Sequence, residues 1–392
     1  MGDSVLKALS STQFAFLGAG LIAISYGLAR FAFGLFVPPI REELGLSAQV
    51  MGALGSLPFI SFVVTSLFAA SVVERVGPRV AAVAAAVLAC MGLAFVSQAN
   101  GAGVLGTGLL TCGIATGMMM PALSAGNGVA IRPELHDRTV AIMNAGTGLG
   151  IAVSVPAVIL LSNAWRAAYV SFALFAAIGA LAAWAWMPQK KSLSTLSITE
   201  ETGARKILRA PLWKLTVFTG GMGFVSAAFW VFAPDLAVVR GGLPEHLTGW
   251  LWLAIGLAGL AGAFAGDLIA RFGAARTQSG ALIALSLAML LLLVFPGQLA
   301  LAILSASIFG FAYMTLTGVY LVTGIRLTPG HRSLGPAIAF LPVAIGQACG
   351  SAIAGSTVTH FGYVTTFTGA MVIGLLIAAL FPWYPRAGTG RD

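Results

Sequence analysis

One charged residue stands inside the first long apolar run of this chain: Arg30, in Tyr26-Gly-Leu-Ala-Arg30-Phe-Ala-Phe-Gly34. A guanidinium is permanently charged, and its planar fork of donors matches the two oxygens of a carboxylate. At a rise of about 1.5 Å per residue, Arg30 lies roughly 24 Å along the run. A cation held that far from water costs about 2.5–3.5 kcal/mol on insertion scales, so it needs a wet cavity or a partner. Two fates fit it: snorkelling outward to the surface, or holding an anionic group. Tyr26, one helical turn earlier, shares its face. No apolar run carries Asp, Glu, Lys or His at its midpoint, so no embedded proton relay is visible. Cys90, Cys112 and Cys349 are far apart, without metal-ligand spacing, and read as small packing residues. No phosphate loop or nucleophile arrangement is present. The expectation is no enzymatic chemistry, no cofactor and no metal.

Elements that could position Arg30 follow from composition. Hydrophobic residues make up 58% of the 392 and charged residues 8%, against about 25% charged in soluble domains. Mean hydropathy is +0.96. Twelve apolar runs are long enough to cross a hydrocarbon core as helices: 14–38, 50–72, 80–98, 102–130, 139–162, 167–187, 212–238, 247–270, 276–295, 299–325, 335–359 and 363–383. The first is too long for a secretion signal, lacks a clear cleavage site, and is read as a retained span. Pro121, Pro156 and Pro342 fall within runs and are expected to kink them.

The chain also repeats itself. A shift of 196 residues, half its length, lays Phe36-x-Pro38 on Phe232-x-Pro234 and Arg75-x-Gly77 on Arg271-x-Gly273. A shift of 200 lays Gly146 and Gly150 on Gly346 and Gly350. Two copies of a six-helix unit are expected, 1–187 and 212–392, joined by the polar linker 188–211. In this register Asp235 falls on Pro39, about 13 Å beyond Arg30. A direct pair is not expected, and Asp235 reads as ending its helix near the surface. Glycines four apart, as at Gly146 and Gly150, suit close helix contact in a bilayer.

The net charge of +9 does not mark a nucleic-acid surface. With the N-terminus in the cytoplasm, 17 Lys and Arg fall on the cytoplasmic side, and only Arg41, Arg166 and Arg240 on the outer side. That asymmetry orients membrane proteins. It places both termini inside.

Between runs two and three the chain reads Ala70-Ser-Val-Val-Glu74-Arg75-Val-Gly77-Pro78-Arg79, and between runs eight and nine Gly266-Asp267-Leu-Ile-Ala-Arg271-Phe-Gly273. These resemble the paired loop signatures of the major facilitator superfamily, and with the duplicated twelve spans the resemblance covers the whole chain. It departs from the signature at Ala70, where the family has Gly, and at Glu74, where it has Asp. The glycine-rich stretch around Gly150 lacks the Gly-Pro pair of family antiporters, and run four lacks the basic residue of many exporters. The resemblance implies an all-α membrane protein of twelve helices in two pseudo-two-fold-related bundles, at the bacterial inner membrane, working by alternating access. It implies a conformational latch at Glu74, Arg75, Gly77, Arg79, Asp267, Arg271 and Gly273; Asp267 and Arg271, four apart, are expected to pair.

The resemblance also implies that spans one, four, seven and ten line a central cavity. Polar or aromatic residues on those spans are Tyr26, Arg30, Thr116, Met120, Asn127, Trp230, Tyr313, Thr317 and Tyr320; Gln347, the repeat mate of Thr147, joins them from span eleven. Packing is the plain alternative for each aromatic and hydroxyl. Three functions remain open: carriage of a small organic anion, export of hydrophobic drugs through an adaptable Met- and aromatic-rich lining, and a receptor or scaffold that does not transport. The expected partners are a small molecule and the bilayer, with the chain acting as a monomer.

Overall fold

Leu-, Ala-, Val- and Gly-rich runs find no backbone partners in lipid, so each closes its hydrogen bonds within a helix. A computed structural model describes residues 9–161, 164–189, 212–328 and 334–384, and no strand occurs among them. The first half contains α1 (Ser11–Leu44), α2 (Ala48–Val76), α3 (Pro78–Ser97), α4 (Ala102–Ala130), α5 (His136–Leu161) and α6 (Trp165–Trp186). The second contains α7 (Leu212–Val239), α8 (Gly249–Leu260 continued by Ala265–Phe272), α9 (Ala274–Val294) and α10 (Leu299–Leu327). The last stretch, Leu334–Ala379, breaks at Gly362 (φ 79°) into α11 (334–361) and α12 (363–379). These are the twelve spans expected. Pro121, Pro156 and Pro342 lie inside helices that continue past them. Most of the expected linker, 190–211, lies outside the described residues.

Two spans depart from the regular helices the sequence predicts. The halves of α8 meet at 57° across the 3-10 turn Ala261–Phe264. In α1 the α-helix Ser11–Ile22 gives way to a π-helix, Ala23–Phe31, then to a 3-10 turn, Ala32–Phe36, and to the α-helix Val37–Leu44. Such transitions take carbonyls off the regular ladder, and in a membrane they need other donors. Neighbours supply them. Thr116 of α4 donates to the Ser25 carbonyl at 2.9 Å, and the Trp252 indole of α8 donates to the Phe31 carbonyl at 3.2 Å.

The repeat is visible in backbone detail. Gly77 (φ 86°, ψ 160°) and Gly273 (φ 81°, ψ 153°) turn the chain identically, a conformation that favours glycine. Their N–H groups donate to Val73 and Ile269 carbonyls, each at 2.8 Å. Gly146 and Gly150 bring α5 onto the Ala19 and Ala23 carbonyls of α1, as Gly346 and Gly350 bring α11 onto the Gly220 and Phe224 carbonyls of α7. Leu174, Ile178 and Leu181 of α6, each more than 60% exposed, form an apolar stripe suited to lipid.

Polar ties between the halves gather at Arg30 and at the end of the molecule opposite the signature loops. At that end, Arg41 Nη1 lies 2.6 Å from Asp235 Oδ2 and 2.9 Å from the Tyr363 hydroxyl, which itself donates to Asp235. Asp235 is 1% exposed. The surface position expected for it is therefore wrong. α7 continues past Asp235 to Val239, and the carboxylate turns inward to the cation of α1. Beside this cluster, Glu43 accepts from Trp165 and Arg166, fastening α1 to α6. Below it α2 and α11 touch backbone to backbone. A Cβ at Gly52 would lie 2.5 Å from the Ser351 carbonyl oxygen and 2.6 Å from Gly355 Cα.

Candidate functional site

The π-helical stretch of α1 turns Arg30 inward, where it is 8% exposed. It does not snorkel. Its Cζ lies 4.5 Å from the ring centroids of both Phe59 and Phe62 on α2, 5.2 Å from Phe31 and 5.8 Å from Tyr26. Each such cation–π contact is worth about 0.5–2 kcal/mol, which offsets part of the desolvation. The guanidinium makes one described hydrogen bond, Nη2 to Gln347 Oε1 of α11 at 3.3 Å. Gln347 in turn donates from Nε2 to the Tyr313 hydroxyl of α10 at 3.0 Å. Among the described residues no carboxylate pairs with Arg30, and its buried Nε–H has no acceptor.

An aromatic wall faces this chain of polar groups. Trp230 of α7 lies 4.5 Å from Phe31 across the seam between the halves, ring centre to ring centre, and 5.2 Å from Tyr313. Phe309, Phe229 and Trp252 back it from the second half. The void beside Arg30 is lined by Phe31, Gly34, Gly55, Phe59 and Trp230, and is about 10 Å³, room for roughly one water. Any larger ligand must part Phe31 from Trp230. The wet cavity expected around Arg30 is, in this conformation, a closed aromatic box.

Tyr26, Arg30, Trp230, Tyr313 and Gln347 are thus brought together. The others lie elsewhere. Thr116 is spent on the Ser25 and Cys112 carbonyls. Tyr320 donates to the Phe218 carbonyl at 3.2 Å, tying α10 to α7. Thr317 bonds back to Met314 in its own helix. Met120 packs against a separate apolar cluster of the first half. Asn127, at the far end of α4, donates to the His136 carbonyl. Phe59 and Phe62 are the residues that sequence reasoning missed. They sit three apart on α2, and only the fold brings that face to Arg30.

At the signature loops, Arg79 donates to the Met187 carbonyl, fixing the start of α3 to the end of α6. Glu74 and Arg75 are both engaged in contacts. Asp267 and Arg271 are exposed and do not pair, contrary to expectation; the Arg271 guanidinium instead lies 5.3 Å from the Phe272 ring. An exposed pair one turn apart gains only about 0.3–0.5 kcal/mol, too little to fix two long side chains.

Solved structures share the whole architecture. A bacterial homologue of the human lysosomal transporter Spinster, inward-facing and occupied, superposes with a TM-score of 0.77 over 96% of this chain and 97% of its own, at 16% identity. A D-xylose–proton symporter gives 0.76 over 97% and 98%, at 15% identity. In sequence, the chain is 27% identical to an uncharacterized Bacillus subtilis transporter, YycB, across 95% of itself and 93% of that protein. It is 30% identical to the 2-nitroimidazole transporter of Escherichia coli K12 across 64% of itself and 66% of that protein. The sequence profile of the Major Facilitator Superfamily matches residues 19–333. With that span matched and the fold shared from end to end, the chain is a membrane transporter belonging to the Major Facilitator Superfamily.

Proposed function

We propose that this transporter carries a small organic anion, a carboxylate, by alternating access, with Arg30 as the residue that binds its charged group. One observation carries this reading: a guanidinium buried at the seam between the halves, with no carboxylate paired to it among the described residues. A buried unpaired cation is costly by several kcal/mol, and rings plus one amide oxygen compensate it only partly. A carboxylate that entered the box would complete it. Tyr313 and Gln347 hold the guanidinium in place from the second half, so a ligand at Arg30 is sensed by both bundles. Glu74, Arg75, Gly77, Arg79, Asp267, Arg271 and Gly273 are assigned to the loops that exchange contacts as the bundles rock, and those loops are assigned to the cytoplasmic side on the charge asymmetry. The tie through Arg41, Asp235 and Tyr363, at the end opposite those loops, is assigned to the outer side on the same asymmetry.

A rival reading has an observation of its own. The box is mostly aromatic, and a relative is named for 2-nitroimidazole, a flat, neutral heterocycle. A nitro group offers the same planar pair of oxygens as a carboxylate, without the full charge. Proteoliposomes separate the two. Uptake of labelled benzoate and of isosteric nitrobenzene-type compounds should be compared, with and without a pH gradient, in the wild type and in Arg30→Ala. The anion reading expects benzoate flux that Arg30→Ala abolishes. Flux of the neutral compound alone, retained in Arg30→Ala, overturns it.

A further inference from the structure

Two orphaned donors belong to residues that line the void beside Arg30. Arg30 Nε–H and Trp230 Nε1–H are both buried and without hydrogen-bond partners, both residues line the same void, and they are 8% and 3% exposed. The Trp230 indole N–H lies near the Tyr313 hydroxyl, which accepts from Gln347, without reaching good hydrogen-bond geometry there. A buried donor without an acceptor carries its full desolvation penalty, and more than nine in ten buried polar groups avoid it. Two such donors beside one void, from opposite halves of the molecule, call for an acceptor that reaches both.

We infer that the ligand is a flat aromatic acid whose two carboxylate oxygens bridge the halves, one oxygen on Arg30 Nε–H and the other on Trp230 Nε1–H, with its ring between Phe31 and Trp230. This rests on the anion reading above and adds the second donor and the ring. Phe31 and Trp230 already lie 4.5 Å apart at a tilt of 36°. Offset aromatic pairs occupy that spacing and gain beyond the area they bury. A ligand ring that slips between them replaces one ring pair by two, while the small void enlarges along the seam. The plane of the ligand matters because the rings of Phe59 and Phe62 crowd the guanidinium from α2. They leave a narrow approach along the seam, suited to a planar head group and poorly suited to a tetrahedral one. A saturated acid of the same size keeps the two hydrogen bonds and loses the ring stacking. The amide or ester of the aromatic acid keeps the stacking and loses the charge.

The test uses the full chain purified in nanodiscs, with affinity read from the ligand-induced rise in unfolding temperature and from flux in proteoliposomes. The probes are benzoate, cyclohexanecarboxylate, benzamide and inorganic phosphate. The wild type is expected to prefer benzoate over the other three. Trp230→Phe keeps an aromatic ring and removes only the N–H; it should weaken benzoate about tenfold or more and weaken benzamide, whose neutral oxygen accepts a weaker bond, several-fold less. A variant that merely damages the fold lowers both together, so the benzoate-to-benzamide ratio is the diagnostic quantity. Trp230→His, which restores a ring N–H, should recover part of that ratio. If the wild type binds benzoate and Trp230→Phe binds it equally well, the bridging role is wrong and the anion reading survives. If the wild type binds no carboxylate, the anion reading itself has failed. If cyclohexanecarboxylate matches benzoate, the ring slot is wrong.

Discussion

Removing the charge of Asp235 should loosen the outer end of this transporter by an amount the structure lets one work out. Asp235 is 1% exposed and receives two donors, Arg41 at 2.6 Å and the Tyr363 hydroxyl. Arg41 belongs to the first half and Asp235 to the second, so the pair exists only while the outer ends touch. Hydrogen bonds to a charged group contribute about 1.5–3 kcal/mol each. The Arg41 side chain is 29% exposed, so solvent screens part of that, and an Asn at 235 would still accept one weaker bond. A net loss of about 2 kcal/mol remains, about a 30-fold shift in the balance between outer-closed and outer-open forms. Gln49 at the start of α2 and His360 at the end of α11 are exposed and flank this seal. Spin labels on cysteines there, with the exposed native Cys349 replaced by Ser, report the gap by pulsed electron resonance. Asp235→Asn should add or enlarge a longer-distance population, and Arg41→Ala should do the same. Distance distributions indistinguishable from wild type in both variants would refute the idea that this cluster holds the outer end shut.

Further expectations bear on the seam, the repeat and the site. Gly52→Leu pushes side-chain atoms into α11, where even a Cβ would stand 2.5 Å from the Ser351 carbonyl oxygen; the same labels should show the outer ends forced apart. Gly77→Ala and Gly273→Ala each place a Cβ on a backbone with φ above 80°, a strain of about 1–2 kcal/mol. Each should lower the unfolding temperature, by similar amounts, because the turns are copies of each other. Tyr320→Phe removes a hydrogen bond to the Phe218 carbonyl and should cost about 1 kcal/mol of stability. It should leave the affinity for any substrate unchanged, and a selective loss of affinity would put Tyr320 back into the site.

Arg30 could be picked from the sequence because a charge in an apolar run has few fates, and Gln347 because the repeat paired it with Thr147. The duplication was legible through Gly77 and Gly273, whose backbone angles leave glycine the residue of choice at both. Register was harder. The depth of Arg30 was counted along an ideal helix, while α1 changes pitch twice between Ala23 and Phe36. No local residue pattern announces a π turn whose freed carbonyls are satisfied from α4 and α8. The Arg41–Asp235 pair was hidden for a related reason. Each residue reads alone as the polar end of a helix, and only the packing of α1 on α7 turns both inward. Phe59 and Phe62 looked like any two apolar residues of a span. Thr116 and Tyr320 read from the sequence as lining candidates, and in the fold both hydroxyls serve a backbone carbonyl.

The contact of α2 with α11 at Gly52 and Gly355 has a consequence for speed. Most packed interfaces lock because long side chains mesh, and separating them means crossing rotamer barriers one by one. At Gly52 and Gly355 bare main chain lies on bare main chain, so at that crossing the two helices can roll apart with no side chains to unmesh. The rate of opening at that crossing then depends on the polar clasps beside it and on whatever sits against Arg30, more than on side chains that must disengage.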